Sequence, residues 1–600
     1  MRPERPGPGS DRAARALNAA AAAAGLWTVA AAFGAGFMLR LGPFRLSSNE
    51  PLRPLLLTAV AAGLSLLLFG PARARRDLAA LTRLSPRLAH PAAVALALLT
   101  MILGLRYGTW LAGGSDSYGY VSQADLWLKG NLHISQPWMA QFDWPQADRT
   151  FAPLGYRPGL APNTIVPTYA PGVAMLMALM KLGAGGAGPF LVTPLLAALG
   201  VWLTFRLGRA LAGPAEGVLA SLLLATSPAI LMNVMFPMSD IPAMAFWTLA
   251  VVLVMSEGRF PPLLAGLAAS VAVLIRPNLV PLAVVPGLAA MFRLRAEPSR
   301  FGSLLRDGAL FAAGVAPGIL TVAFVNTRLY GSPLESGYGP IAMIYDASRS
   351  LANITRWAAW LWETQPVVAV LAPLGLILPG ALAHRGTAGS SGRGSARLLL
   401  AGIIAATMAC YLFYEPFDAW WFLRFLFPMF PALMVLAAAG LTWLVRRLPQ
   451  SWRVPVAAVC VAAVAASQVR AGQDRSVYGM REAASRSLAV TREVGRLVPG
   501  NAMVICIQES GSLRYYANRQ TLRWDWLPPE WLDRAIDQLQ AKGYRPYIFL
   551  PEDERRQFLA RFSGSSAGRL AGKPVAEFPP SGALYDAAAE RAAPPQAPAR

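Results

Sequence analysis

The chain repeats one pattern from its start to about residue 470: apolar runs of roughly twenty residues, separated by short stretches that carry the arginines. A run of that length matches the hydrocarbon core of a bilayer, about 30 Å, when it is helical. Hydrophobic residues make up 55% and charged residues only 14%, so these runs face lipid or each other. The formal net charge of +22 does not point to nucleic acid, because the arginines lie between apolar spans and form no basic patch on a folded surface. The three cysteines (Cys410, Cys460, Cys506) and three histidines (His90, His133, His384) have no metal-ligand spacing.

Placing the arginine clusters on the cytoplasmic side orders the spans. Residues 1–18 read as a disordered cytoplasmic start, and Ala19 to Leu39 as a retained signal-anchor. After a second run, Arg73, Arg75, Arg76, Arg83 and Arg87 mark the inside, so Pro91 to Trp110 exits. Residues 111–187 form a large external loop. Within it Tyr169 to Leu182 is apolar but short for a crossing, and counting it as a span would reverse every later cluster. Continuing to Val469 gives about thirteen helices, with the N-terminus inside and the C-terminus outside. The arginines at 40, 45 and 53 are the exception on the external side.

From residue 471 the composition becomes mixed. Ala502 to Gln508 reads as a buried strand, Trp531 to Lys542 as a helix and Arg545 to Leu550 as a second strand. Residues 471–600 are therefore expected to form a small external α/β module with a disordered end, of a size that can bury its own core. No Gly-rich phosphate loop precedes its helix, which argues against a nucleotide site.

The span order gathers polar groups on the external face. Asp116 opens GSDSYGYVSQADLWLKG just after a span, and an ionisable group so close to the membrane is a functional candidate. Asp240 lies in PMSDIPAM between two apolar runs; as a helix cap it would suit Ser239-Asp240-Ile241-Pro242, and capping and function can coincide. Arg276, followed by Pro277, ends a span, and Arg424 and Arg157 join it as cations suited to a phosphate. Tyr118, Tyr120 and Tyr345 are candidate substrate contacts, although single aromatics commonly belt the interface.

In order, these features resemble the membrane-embedded GT-C glycosyltransferases, in particular bacterial relatives of the protein O-mannosyltransferases and of the lipid A aminoarabinose transferase. The resemblance is carried by Asp116, Tyr120 and Leu128-Lys129-Gly130, by Tyr169-Ala170-Pro171-Gly172, by Ser239-Asp240, by Arg276-Pro277 and by Trp420 to Pro431, over about residues 90–445. The family's acidic pair is here Asp116 followed by Ser117. The resemblance implies a mainly α, polytopic protein of the bacterial cytoplasmic membrane that moves a sugar from a polyprenyl-phosphate donor to a glycan, lipid or protein acceptor on the periplasmic face. It implies Asp116 as catalytic base, with Asp240, Arg276, Arg424, Tyr120, Tyr118, Arg157 and Tyr345 binding substrates. No metal is obligate, though Asp116 and Asp240 together could hold a divalent cation. The alternative class is a transporter or flippase of a lipid-linked saccharide, but no repeat is visible and the charges sit at span ends rather than at the midplane. A non-catalytic envelope-assembly subunit is the third.

Overall fold

The computed structural model describes residues 52–592 apart from 70, 257–259, 293–300 and 383–389, together with 38–41, 44–47 and isolated positions between 13 and 25. Most of the expected N-terminal segment and signal-anchor, the arginines at 293, 295 and 300, the linker around Arg385 and the end of the chain lie outside the described residues. Of the arginines expected on the external side, Arg40 and Arg45 face each other across the antiparallel strands Met38–Leu41 and Phe44–Ser47, with Leu39 opposite Leu46.

Among the described residues five helices are long and apolar enough to cross a bilayer: Arg87–Tyr107, Pro171–Leu211, Phe301–Tyr330, Trp420–Arg447 and Val456–Asp474. The number is seven if two bent pairs each count as one, Pro214–Thr226 with Pro228–Val234 at 61° and Ala347–Thr364 with Pro366–Ile377 at 110°. Asp240–Val254 and Pro261–Ile275, which the sequence reads as spans, are only 15 residues each. At 1.5 Å per residue such a helix is about 22 Å long, less than the hydrocarbon thickness. Each has one end where the sequence places a polar group, the first at Asp240 and the second at Arg276-Pro277.

The run Pro171–Leu211 is two helices rather than one. It breaks at Gly185, where φ is +58°. The chain then turns so sharply that Gly188 lies against the backbone of Met180 and Lys181, leaving no room for a Cβ. Eight residues along a straight helix would separate those atoms by about 12 Å. The short apolar helix after Tyr169 is thus distinct from the one after the turn, and the turn depends on glycine at both places.

The membrane core gathers around Val201, Trp247, Val273, Phe427 and Val435 from five helical segments, all of them buried. Close backbone approach helps to pack it. Gly375 lies against the carbonyl of Leu436, and Gly440 against that of Leu371. Small residues that let helices touch are the usual means of association where lipid removes the hydrophobic drive between them.

Beyond the last long helix, five strands form one sheet in the order Gln520–Leu522, Ala502–Ile505, Arg545–Leu550, Gly582–Asp586, Ala576–Phe578. The first three are parallel, with Val504 between Thr521 and Tyr547, and the last two are antiparallel. The helices Leu532–Ala541 and Glu552–Arg561 pack with it.

This sheet does not complete its core from its own residues. Met139, Phe142, Trp144 and Phe151, all from the loop after the helix Arg87–Tyr107, lie buried in the same cluster as Met503, Ile505, Leu522, Trp524 and Phe558. The backbone N–H of Arg523 donates to the carbonyl of Thr150 at 2.7 Å. The loop and the C-terminal residues therefore share one folded unit. Losing a single buried aromatic costs about 3–5 kcal/mol, and whole domains are stable by only about 5–15 kcal/mol. Residues 471–592 expressed alone are accordingly expected to aggregate or to melt without cooperativity in circular dichroism, and to regain a cooperative transition when residues 136–152 are supplied as a fused segment. A cooperative melt of 471–592 alone would show that the loop aromatics only decorate the unit.

Candidate active site

Four charged side chains from four distant stretches meet at one end of the membrane domain. Asp116 opens the helix Asp116–Leu128, directly after a turn through Gly114 at φ +60°. The helix N-terminus favours a carboxylate in its first turn. Close packing explains the small residue at 119: a Cβ there would enter the ring of Tyr169, whose hydroxyl shares a 2.6 Å hydrogen bond with Ser115.

Arg276 follows the helix Pro261–Ile275 with φ −141° and ψ 88°. The ring of Pro277 disfavours helical backbone for the residue before it, so the guanidinium is swung off the helix axis. All three of its nitrogens are used: Nε donates to Ser239 Oγ at 3.0 Å, Nη1 to the Tyr411 hydroxyl at 2.8 Å and Nη2 to Asp240 Oδ1 at 2.6 Å. Asp240 is 1% exposed, and its other oxygen has no hydrogen-bond partner among the described residues. The capping role that the sequence allows for Asp240 is not what its carboxylate does. It accepts from an arginine, and the residue before the helix, Ser239, makes no side-chain cap bond either.

Arg424 joins the two acids. Its Nη2 donates to Asp116 Oδ2 at 3.0 Å, and its Nε lies 3.9 Å from Asp240 Oδ1. The guanidinium is sandwiched against aromatic rings, 4.9 Å from Phe422 and 5.5 Å from Phe425, and Arg276 lies 5.3 Å from the same Phe425. Such stacking holds a planar cation in place while leaving its edge free to bind an anion. The order Asp116–Arg424–Asp240–Arg276 is thus one chain of alternating charge. Asp116, with 28% of its side chain exposed, is its open end, while Asp240 is its buried anchor.

Tyr120 stands beside this chain, its ring 4.7 Å from that of Tyr169. Burial, and then the neighbouring Asp116, raise its phenol above the ordinary value, so it remains a hydrogen-bond donor. The other sequence candidates lie farther out. Tyr345 packs on Tyr414 at 5.5 Å, which in turn packs on Tyr411 at 5.6 Å. Tyr118 turns away, toward Tyr156 of the loop and Tyr515 of the C-terminal unit, at 5.6 Å and 6.4 Å. Arg157 is occupied by Glu335 at 3.4 Å and by the carbonyl of Ser336 at 3.1 Å, so it fastens the 331–340 loop. Three further residues complete the site. Ser239 and Phe425 lie in the motifs Ser239-Asp240 and Trp420 to Pro431 without a role of their own in the sequence, whereas Tyr411 sits inside an apolar run and carries no signal there. Among the described residues no group of three or more His, Cys, Asp or Glu is placed to hold a metal ion.

No protein-family model matches the sequence, and no curated protein matches it. Among solved structures, ArnT from Cupriavidus metallidurans bound to undecaprenyl phosphate aligns with a TM-score of 0.50 at 14% identity, covering 84% of this chain and 98% of that one. The chain has the GT-C fold. Two further solved structures align with lower scores. They are the Archaeoglobus fulgidus oligosaccharyltransferase in complex with Zn and sulfate (TM-score 0.44, 12% identity, 78% of this chain and 69% of that one) and the mycobacterial arabinofuranosyltransferase AftD (0.47, 14%, 82% and 41%). Within the GT-C fold of this chain, the alternating Asp–Arg chain lies where Arg87–Tyr107 gives way to the loop, where Asp240–Val254 begins and where Pro261–Ile275 ends.

Proposed function

We propose that this protein is a membrane glycosyltransferase that transfers a sugar from a polyprenyl-phosphate carrier to an acceptor at the periplasmic face of the bacterial cytoplasmic membrane. The observation that carries the reading is the Asp116–Arg424–Asp240–Arg276 chain at the ends of apolar helices. A carrier lipid brings a phosphate to that depth, and arginine edges there bind it by charge-assisted hydrogen bonds. The fold likeness to a protein crystallised with undecaprenyl phosphate supports a carrier of that class.

The step is a single displacement at the anomeric carbon. The acceptor oxygen attacks as the bond from that carbon to the carrier phosphate breaks, and the phosphate leaves with the bonding pair. The acceptor's proton goes to Asp116, the more exposed of the two site carboxylates. Phosphate binding to Arg424 draws that guanidinium from Asp116, which frees the carboxylate to take the proton. Arg276, held by Ser239, Asp240 and Tyr411, keeps its geometry throughout. Tyr120 lies close enough to orient the sugar or the acceptor, and Tyr345 supports the aromatic wall. Neither the sugar type nor a divalent cation enters this scheme.

The wider organisation rests on the arginine pattern. About thirteen spans cross the membrane, the N-terminus is cytoplasmic, and the C-terminal unit covers the loop on the periplasmic side. The experiment that tests the donor assignment is a titration of polyprenyl-phosphate sugar against purified Arg424→Gln in proteoliposomes. The apparent KM for the donor is expected to rise by about 10-fold or more, the worth of one charge-assisted hydrogen bond, while the KM for the acceptor stays near that of the parent. An unchanged donor KM would remove Arg424 from the phosphate site.

A further inference from the structure

Away from the site, the arginines at the far end of the membrane domain are mostly matched. Arg446 pairs with Glu216, Arg306 with Asp307 at 2.8 Å, and Arg447 lies 4.2 Å over the ring of Trp443. Arg206 and Arg209 differ. Both are exposed, in the last turns of Gly188–Leu211, and among the described residues neither has a hydrogen bond or an ion pair; Arg206 meets only the ring of Trp202, at 5.2 Å. With His90 they line an open cleft of about 340 Å³ whose other wall, with Ala210, Val252 and Met255, is apolar apart from Ser256. Leu207 is fully buried beneath it. Among the described residues no carboxylate lines the cleft. The cleft is remote from the Asp–Arg chain: Asp240 begins the 15-residue helix that Met255 follows, a distance of about 22 Å.

The C-terminus of a helix favours cations, which accounts for Arg209 in the last turn. It does not account for a hollow lined by two unpaired guanidinium groups and an imidazole over an apolar floor. We propose that this cleft holds the phosphate of an anionic membrane lipid. The guanidinium edges would take the phosphate oxygens, His90 would donate a further hydrogen bond, and the start of the acyl chains would cover Ala210 and Met255. A free phosphate would satisfy the cations but leave that wall bare. Placement at the ends of apolar helices puts the cleft at headgroup depth, where each arginine strengthens binding to anionic lipid by about 5-fold.

The test uses the full chain, purified in neutral detergent, with lipid retention measured by native mass spectrometry. Phosphatidylglycerol, phosphatidylcholine and inorganic phosphate are each titrated against the parent and against Arg206→Gln/Arg209→Gln. The parent is expected to retain phosphatidylglycerol in preference to phosphatidylcholine, and the double variant to bind phosphatidylglycerol about 10- to 30-fold more weakly. Arg447→Gln, on the same face, should leave retention unchanged. An unaltered melting curve of the lipid-free double variant verifies that it folds. Equal phosphatidylglycerol retention by the double variant would overturn the proposal, as would equal loss in Arg447→Gln. Inorganic phosphate competing at matching affinity would assign the cleft to a soluble anion and overturn the lipid assignment. The single variants Arg206→Gln and Arg209→Gln supply the same comparison with a smaller perturbation, each expected to weaken retention about 5-fold.

Discussion

Asp116→Asn lowers sugar transfer by roughly 10²–10⁴-fold, the usual contribution of a positioned general base. The substitution keeps the size of the side chain and its capacity to accept a hydrogen bond from Arg424, now 3.0 Å away, but removes the proton acceptor. Thermal stability and membrane level change less than for Asp240→Asn, because Asp116 is 28% exposed and Arg424 keeps Asp240 beside its Nε at 3.9 Å. The effect falls on kcat more than on the donor KM, which separates proton transfer from phosphate binding. Initial rates in proteoliposomes, with donor and acceptor varied in turn, provide the check. A variant that transfers at the parent rate would leave the site without its base, and the transporter reading would then lead.

The second large effect is on folding. Asp240→Asn leaves Arg276 buried beside a neutral amide, and breaking a buried ion pair from one side typically costs about 3–5 kcal/mol. Were Asp240 a helix cap, the same change would be nearly silent, since Asn caps as well as Asp. The geometry favours the first outcome, because Asp240 is 1% exposed and meets Arg276 at 2.6 Å. A clear loss of melting temperature in detergent is therefore expected for Asp240→Asn. Arg276→Gln in the same chain should restore part of it, since neighbouring charges in one network do not contribute additively. Additive losses in the double variant would mean that the two side chains act independently.

The GT-C fold and the central charges were legible because each is a local feature of the chain. Asp116, Asp240, Arg276 and Arg424 stand at breaks between apolar runs, where a charge is conspicuous, and parity of the runs brings those breaks to one end. Pro277 even signals the turn that frees Arg276 from its helix. What the sequence could not disclose is pairing. Nothing in PMSDIPAM says that Asp240 accepts from an arginine thirty-six residues later rather than from its own helix. Tyr118 and Tyr120 are two residues apart on one helix, which points them in different directions: one packs toward Tyr515, the other toward Tyr169. Arg157, a plausible phosphate ligand by type, is occupied by Glu335 and Ser336 from the second loop. The shared core of the C-terminal unit was hidden for the same reason. The Trp- and Phe-rich stretch 138–151 looks like an interfacial loop until strands some 350 residues later are laid over it. The run Tyr169–Leu182 was separable from the next helix by its length and by the parity of the arginine clusters, and Gly185 and Gly188 supply the turn between them.

The central claim is that this chain moves a sugar from a polyprenyl phosphate, and it is tested most directly by comparing lipid-linked sugars and envelope glycans in three strains: one lacking the protein, and that strain carrying either the parent chain or Asp116→Asn. The strain without the protein is expected to lose one sugar-bearing envelope species and to accumulate the matching polyprenyl-phosphate sugar. The parent chain restores both, and Asp116→Asn, present at the same membrane level, restores neither. Identical profiles in all three strains, or full restoration by Asp116→Asn, would contradict the account.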